Sequence, residues 1–153
     1  MVCKIKEVFL SGAMGCYDPS NSYPYEWREF AKEDINGGIL GLTCFNPIDY
    51  YNYKVRNEKT QKEIMMCEFQ RLAYDSDILL VNLQDLDKSL GTSDEILLAW
   101  KLNKPVVGFL EGCTEEDLSK IVHPFKLEQI SRIECGEGAL TKALTYLENY
   151  YGE

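Results

Sequence analysis

Short apolar runs alternate along this chain with segments of helical spacing, and that alternation restricts the fold more than any other feature. Val8-Phe9-Leu10, Leu42-Thr43-Cys44-Phe45, Asp77 to Leu83 and Lys104 to Leu110 each read as a buried strand. Ile130 to Ile133 reads as a last one. Between them, Tyr25 to Ile35 places apolar residues at Trp27, Phe30, Ala31 and Ile35, and Lys62 to Tyr74 at Ile64, Cys67, Phe69 and Leu72. Glu95 to Leu102 is a further helix. Ala139 to Tyr150 closes the chain with Leu140, Ala143, Leu144 and Leu147 on one face. Strands that alternate with helices pair in parallel, because each crossover needs a helix. The expectation is a single α/β domain: a doubly wound, flavodoxin-like parallel five-stranded sheet with helices on both faces.

Turn chemistry punctuates the pattern. Ser11-Gly12 ends the first strand and Asn46-Pro47 the second, while Gly37-Gly38 stops the first helix. Thr114-Glu115-Glu116-Asp117 has the spacing of a helix start. His123, before Pro124, reads as a loop residue. With 153 residues the chain suffices for one core, and no repeat or linker interrupts it.

The formal charge of −9 argues against a nucleic-acid partner, whose backbone attracts basic patches. Small nucleotides stay open, since backbone N–H groups can hold one phosphate without net positive charge. No apolar stretch approaches the ~20 residues of a membrane span, so no membrane partner is expected. The polar start, Met1 to Glu7, does not resemble a secretory leader. The six cysteines are scattered and form no Cys-x-x-Cys pair, and His123 is the single histidine. That pattern reads as reduced cytoplasmic thiols rather than a disulfide framework or a metal site.

In an open parallel sheet, ligands bind beyond the carboxyl ends of the strands. Ser11, Pro47 and Ser89 converge on that edge. The richest segment is Ser89-Leu90-Gly91-Thr92-Ser93-Asp94-Glu95, which joins the Asp77 to Leu83 strand to the following helix. Glu95 has two readings. It can close a capping box on Thr92, three residues earlier. It can also be an ionised nucleophile at a helix start, where the dipole favours an anion. Gly91 permits either a tight turn or close approach of a ligand. Ser89 is a turn residue or a hydroxyl for a sugar 5′ oxygen or phosphate.

Ser11-Gly12-Ala13-Met14-Gly15 lacks the glycine fingerprint of dinucleotide folds. Its small residues let a flat ring lie against the backbone, or form an ordinary turn. Asp49, Tyr50, Tyr51 and Tyr53 can hydrogen-bond a sugar and stack on a base, or form a surface or subunit contact. Tyr17 and Trp27 have the same two readings.

With these segments on view, the chain resembles the nucleoside 2-deoxyribosyltransferases and the related nucleotide N-glycosidases. The likeness runs through Val8 to Gly12, Phe45 to Tyr51, Ser76 to Asn82, Ser89 to Glu95 and Lys104-Pro105-Val106. It implies that Glu95 is the catalytic nucleophile. Ser11, Gly12, Ala13, Met14, Asp49, Ser89, Gly91 and Thr92 are the expected substrate-binding residues. The resemblance implies N-glycosidic cleavage of a 2′-deoxynucleoside through a glycosyl ester on Glu95, with transfer to another nucleobase, and no cofactor. Two positions depart from the family pattern. Ser89 replaces an aspartate common among the transferases and matches the nucleoside 5′-monophosphate hydrolases, so hydrolysis is the alternative. Phe69, beside Glu68, stands where an aspartate often assists the leaving base, which leaves Asp49, Glu68 and Asp75 as candidates. The resemblance also implies a homo-oligomer with shared sites, for which Tyr146, Tyr150 and Tyr151 are candidate contacts. A non-catalytic nucleotide sensor on the same fold is a further alternative. A flavodoxin-type electron carrier is disfavoured by the absence of a Ser/Thr-rich loop after the first strand.

Overall fold

The computed structural model describes residues 3–51 and 60–153. Five strands form one all-parallel sheet in the order β2-β1-β3-β4-β5. They are β1 (Lys6–Gly12), β2 (Leu42–Phe45), β3 (Ile78–Asn82), β4 (Val106–Glu111) and β5 (Arg132–Gly136). The helices are α1 (Tyr23–Gly38), α2 (Gln61–Gln70), α3 (Leu90–Lys101), α4 (Glu115–Ile121), α5 (Pro124–Gln129) and α6 (Ala139–Tyr151). This is the doubly wound arrangement read from the apolar periodicity. Its strand order reverses between β1 and β3, and the crevice at that switch point is the expected place for a ligand.

The central strands are buried on both faces, which explains their continuous apolar character. Val8, Leu10, Ile78, Leu80, Val107 and Phe109 face α1 and α6, where Ala31, Ile35, Leu144 and Leu147 complete one core. Phe9, Leu79, Val81, Val106 and Leu110 face the other way, against Leu72, Ile96, Ala99 and Val122. Leu140, Ala143, Leu144 and Leu147 of α6 all point inward, as the spacing predicts.

Several local expectations are corrected. Phe30 on α1 is about half exposed, whereas Arg28, one turn from Ala31, is 2% exposed. Helix α2 buries none of its residues; Cys67 is exposed and Leu72, in the π-helical turn that follows, enters the core. The reason is that α2 walls a cavity rather than packing on the sheet. It starts at a full capping box, with Thr60 accepting from the Glu63 N–H and Glu63 reaching back to the Thr60 N–H. His123 is no plain loop residue: its Nδ1 accepts from the Phe125 N–H and caps α5. Thr114 caps α4 as its spacing predicts. All six cysteines are free thiols, and no described helix is long and apolar enough to cross a membrane.

Candidate active site

Helix α3 begins three residues earlier than the Thr92 capping box requires. Ser89, extended at φ −128° and ψ 92°, is the N-cap. Its Oγ accepts from the Thr92 N–H at 3.4 Å and shares a 2.8 Å hydrogen bond with Thr92 Oγ1. The turn Leu86–Lys88 delivers the chain to that position and leaves Ser89 as the first residue able to cap. The capping-box reading of Glu95 is therefore wrong. Glu95 lies in the second turn of α3, where the dipole at the helix start gives it little support.

Instead, Glu95 is 6% exposed and lies at the edge of β1, where Ser11 Oγ donates to its Oε1 at 3.3 Å. Burial raises the Glu95 carboxyl well above the ordinary carboxylate range, and the negative charge of Glu68 adds to that rise. The Arg28 guanidinium and the Ser11 hydrogen bond act in the opposite direction.

Arg28 holds its place for a reason written in the strand register. Lys6 of β1 donates to the Gly41 carbonyl, so even-numbered residues of β1 point their backbone groups at β2. The β1–β2 ladder ends at Phe9 opposite Phe45. One step on, the Leu10 carbonyl faces position 47, and Pro47 has no N–H to give. Arg28 supplies the donors instead: Nη1 donates to the Leu10 carbonyl at 3.0 Å and Nη2 to the Gly12 carbonyl at 2.8 Å. A guanidinium thus replaces the next turn of β2. Its Cζ lies 4.8 Å from the centre of the Trp27 ring. Gly12 makes room for this arrangement, since a Cβ there would lie 2.9 Å from the Trp27 ring and 3.6 Å from Arg28 Nη2.

Above these groups opens a cavity of about 630 Å³, a volume typical of small-molecule sites. Its floor is the end of β1 with Glu95, one wall is α2 with Glu68 and Phe69, and one rim is the start of α3. The segment between β1 and α1 closes another side. Tyr17 in that segment donates to Asp85 at 2.8 Å, which ties it to the loop after β3.

Of the residues singled out from the sequence, Ser11, Gly12, Met14, Ser89, Gly91, Thr92 and Glu95 line this cavity. Ala13 is buried beside it and is not part of the lining. Asp49 is also outside the lining: it pairs with Lys32 at 2.9 Å, on the exposed side of the turn Pro47–Asp49. Tyr51 lines the cavity, whereas Tyr50 stacks on Phe45 with ring centres 5.0 Å apart. Trp27 packs edge-on against Phe109 in the core. Tyr53 lies outside the described residues. Gly91 is no tight-turn glycine, because it sits within α3 and a Cβ there would meet nothing within 4 Å among the described residues. Arg28 is a buried site residue that the sequence reading missed. Its signal is a cation on the buried stripe of α1, three residues before Ala31 and seven before Ile35.

No protein-family model matches the chain, and no curated protein matches it by sequence. Solved structures do match. A conserved protein from Enterococcus faecalis V583 aligns with a TM-score of 0.67 at 13% identity, over 93% of this chain and 98% of that one. The 2-deoxyribosyltransferase of Bacillus psychrosaccharolyticus aligns with a TM-score of 0.61 at 16% identity, over 94% and 91%. The CMP N-glycosidase of Clostridium botulinum aligns with a TM-score of 0.59 at 16% identity, over 95% and 100%. At these identities the likeness defines the fold: an α/β domain of the architecture found in a deoxyribosyltransferase and a nucleotide N-glycosidase.

Proposed function

We propose that this chain is a nucleoside 2-deoxyribosyltransferase-like enzyme that cleaves the N-glycosidic bond of 2′-deoxynucleosides and transfers the sugar to another nucleobase. The observation that carries the reading is a buried carboxylate, Glu95, at the floor of a nucleoside-sized cavity on the carboxyl edge of the sheet. The same architecture in a deoxyribosyltransferase and a CMP N-glycosidase supports it.

In the first half-reaction a Glu95 carboxylate oxygen bonds to C1′. The C1′–N bond breaks and its electron pair leaves with the base, which takes up a proton. A glycosyl ester on Glu95 remains. In the second half, a ring nitrogen of the acceptor base bonds to C1′, the ester bond breaks, and the carboxylate is restored while the acceptor loses a proton. The transition state at C1′ is oxocarbenium-like, and a fixed carboxylate beside it stabilises the developing positive charge before capturing it. Of Asp49, Glu68 and Asp75, Glu68 alone lines the cavity, so it is assigned as the acid for the leaving base and the base for the acceptor. Asp75 is exposed, 3.9 Å from Arg71.

Hydrolysis of a nucleoside 5′-monophosphate is the second reading, favoured by Ser89 at the cavity rim beside the start of α3. A homo-oligomer in the cytoplasm, with subunits sharing sites, completes the proposal. The exposed side of α2, with Met65 and Met66, and the exposed Tyr150 of α6 are the candidate contacts.

Exposure to a 2′-fluoro-2′-deoxynucleoside followed by peptide mass spectrometry tests the mechanism. The expected result is a fluoropentosyl adduct on Glu95. Base release with no adduct on that residue would remove Glu95 as nucleophile. Parallel incubations with deoxynucleoside plus a second base, and with deoxynucleotide alone, separate transfer from hydrolysis. If neither exchange nor release occurs, the sensor alternative stands.

A further inference from the structure

We propose that Ser11 and Arg28 are positioning residues that hold Glu95 as an anion inside its buried seat. The inference rests on the functional reading above, and it gives Ser11 a task other than contacting substrate.

The geometry gives the two groups one scaffold. Residues 10 to 12 of β1 carry both. The Leu10 and Gly12 carbonyls grip Arg28, and the Ser11 side chain between them reaches Glu95. Arg28 and Ser11 are each 2% exposed, so neither is free to swing to water. A fork of two hydrogen bonds and the Trp27 ring fix the guanidinium plane. The cation is therefore held on the same stretch of β1 that reaches Glu95 before any substrate arrives.

The surroundings make such a device necessary. Around the cavity stand Asp18 from the segment after β1, Glu68 from α2, and Asp94 and Glu95 from α3. Arg28 from α1 is the cation among the described lining residues. An acid buried among other acids tends to keep its proton, and a protonated carboxyl cannot attack C1′. The Ser11 hydrogen bond favours the charged form, and so does the Arg28 field. At 3.3 Å the Ser11 contact is long for a hydroxyl–carboxylate bond, so its share is the smaller. It engages Oε1 of the carboxylate.

The test is the pH profile of kcat/KM for base release or exchange in the wild type, Ser11→Ala, Ser11→Thr and Arg28→Lys. Ser11→Ala is expected to move the acidic limb to higher pH. Activity then falls about three- to tenfold below the limb and returns toward wild type above it. Ser11→Thr, which keeps the hydroxyl, restores the limb. Arg28→Lys keeps a charge but loses the fork, and shifts the limb in the same direction. A loss in Ser11→Ala that is equal at every pH, or an unmoved limb, would overturn the inference. Carboxyl-carbon NMR titration supplies a second readout, with the Glu95 signal assigned through Glu95→Gln. The Glu95 midpoint should rise in Ser11→Ala, and an unchanged midpoint refutes the proposal whatever the activity. If the wild type neither releases nor exchanges a base, the functional reading fails, and the NMR titration still decides the charge-setting role.

Discussion

Ser11 Oγ and Glu95 Oε1 lie 3.3 Å apart, joining the end of β1 to the second turn of α3 across 84 positions of sequence. That contact unites the two halves of the doubly wound sheet at their switch point. It also explains how an acid that lies past the first turn of its helix can be fixed at the floor of the cavity. The strand, rather than the helix dipole, orients the carboxylate.

Glu95→Gln should separate activity from stability. Turnover is expected to fall by about a thousandfold or more, because the contact removed is made in the transition state. Folding stability should move the other way. Glu95 binds its proton more tightly when folded than when unfolded. Stability therefore falls as pH rises from the ordinary carboxylate range through the raised folded value. The glutamine variant has no such slope. Thermal denaturation should show the two proteins alike in acid and the variant higher-melting at neutral pH.

Gly91→Ala probes the cavity rim without disturbing the fold. Among the described residues, no atom outside the local helix backbone lies within 4 Å of the added methyl group. Stability should be unchanged or improved by up to about 1 kcal/mol, as for a helix-compatible glycine. A ligand that approaches the backbone there should bind less well, so KM is expected to rise several-fold with kcat less affected. An unchanged KM would show that substrate does not reach this edge.

Gly12→Ala tests the opposite kind of glycine. The methyl group would lie 2.9 Å from the Trp27 ring and 3.3 Å from Asn82 Cβ, both in packed surroundings. A loss of about 1–3 kcal/mol in chemical denaturation is expected, as for overpacked cores. Activity should fall with it, because Arg28 shares that seat.

Ser89→Ala and Thr92→Ala decide the start of α3. Ser89 is the cap, so its loss should cost about 1 kcal/mol. Thr92→Ala leaves the Thr92 N–H in place and should cost less. Equal or reversed costs in denaturation would restore the capping box that the Thr92–Glu95 spacing suggests.

The sheet was legible because burial on two faces writes itself as unbroken apolar runs, clearest in Ile78 to Asn82. The residues from Ser89 to Glu95 were legible as a cluster because a strand-to-helix turn brings neighbours in sequence to one cavity. Arg28 was not, since a buried cation looks like any surface arginine until the carbonyls it serves are known. The role of α2 was misread for a related reason. Ile64 and Phe69 have core-like spacing, but they face an open cavity. Asp49 was placed in the site by its nearness to Pro47, and Lys32 on α1 draws it to the outside instead.

The proline at position 47 has a reach beyond ending a strand. Were an ordinary residue to stand there, its amide could zip β2 one step further along β1, and the arginine fork would lose its first acceptor. Width of the sheet at its upper rim and polarity at the foot of the crevice are therefore a single adjustable quantity, governed by a side chain that carries no charge at all.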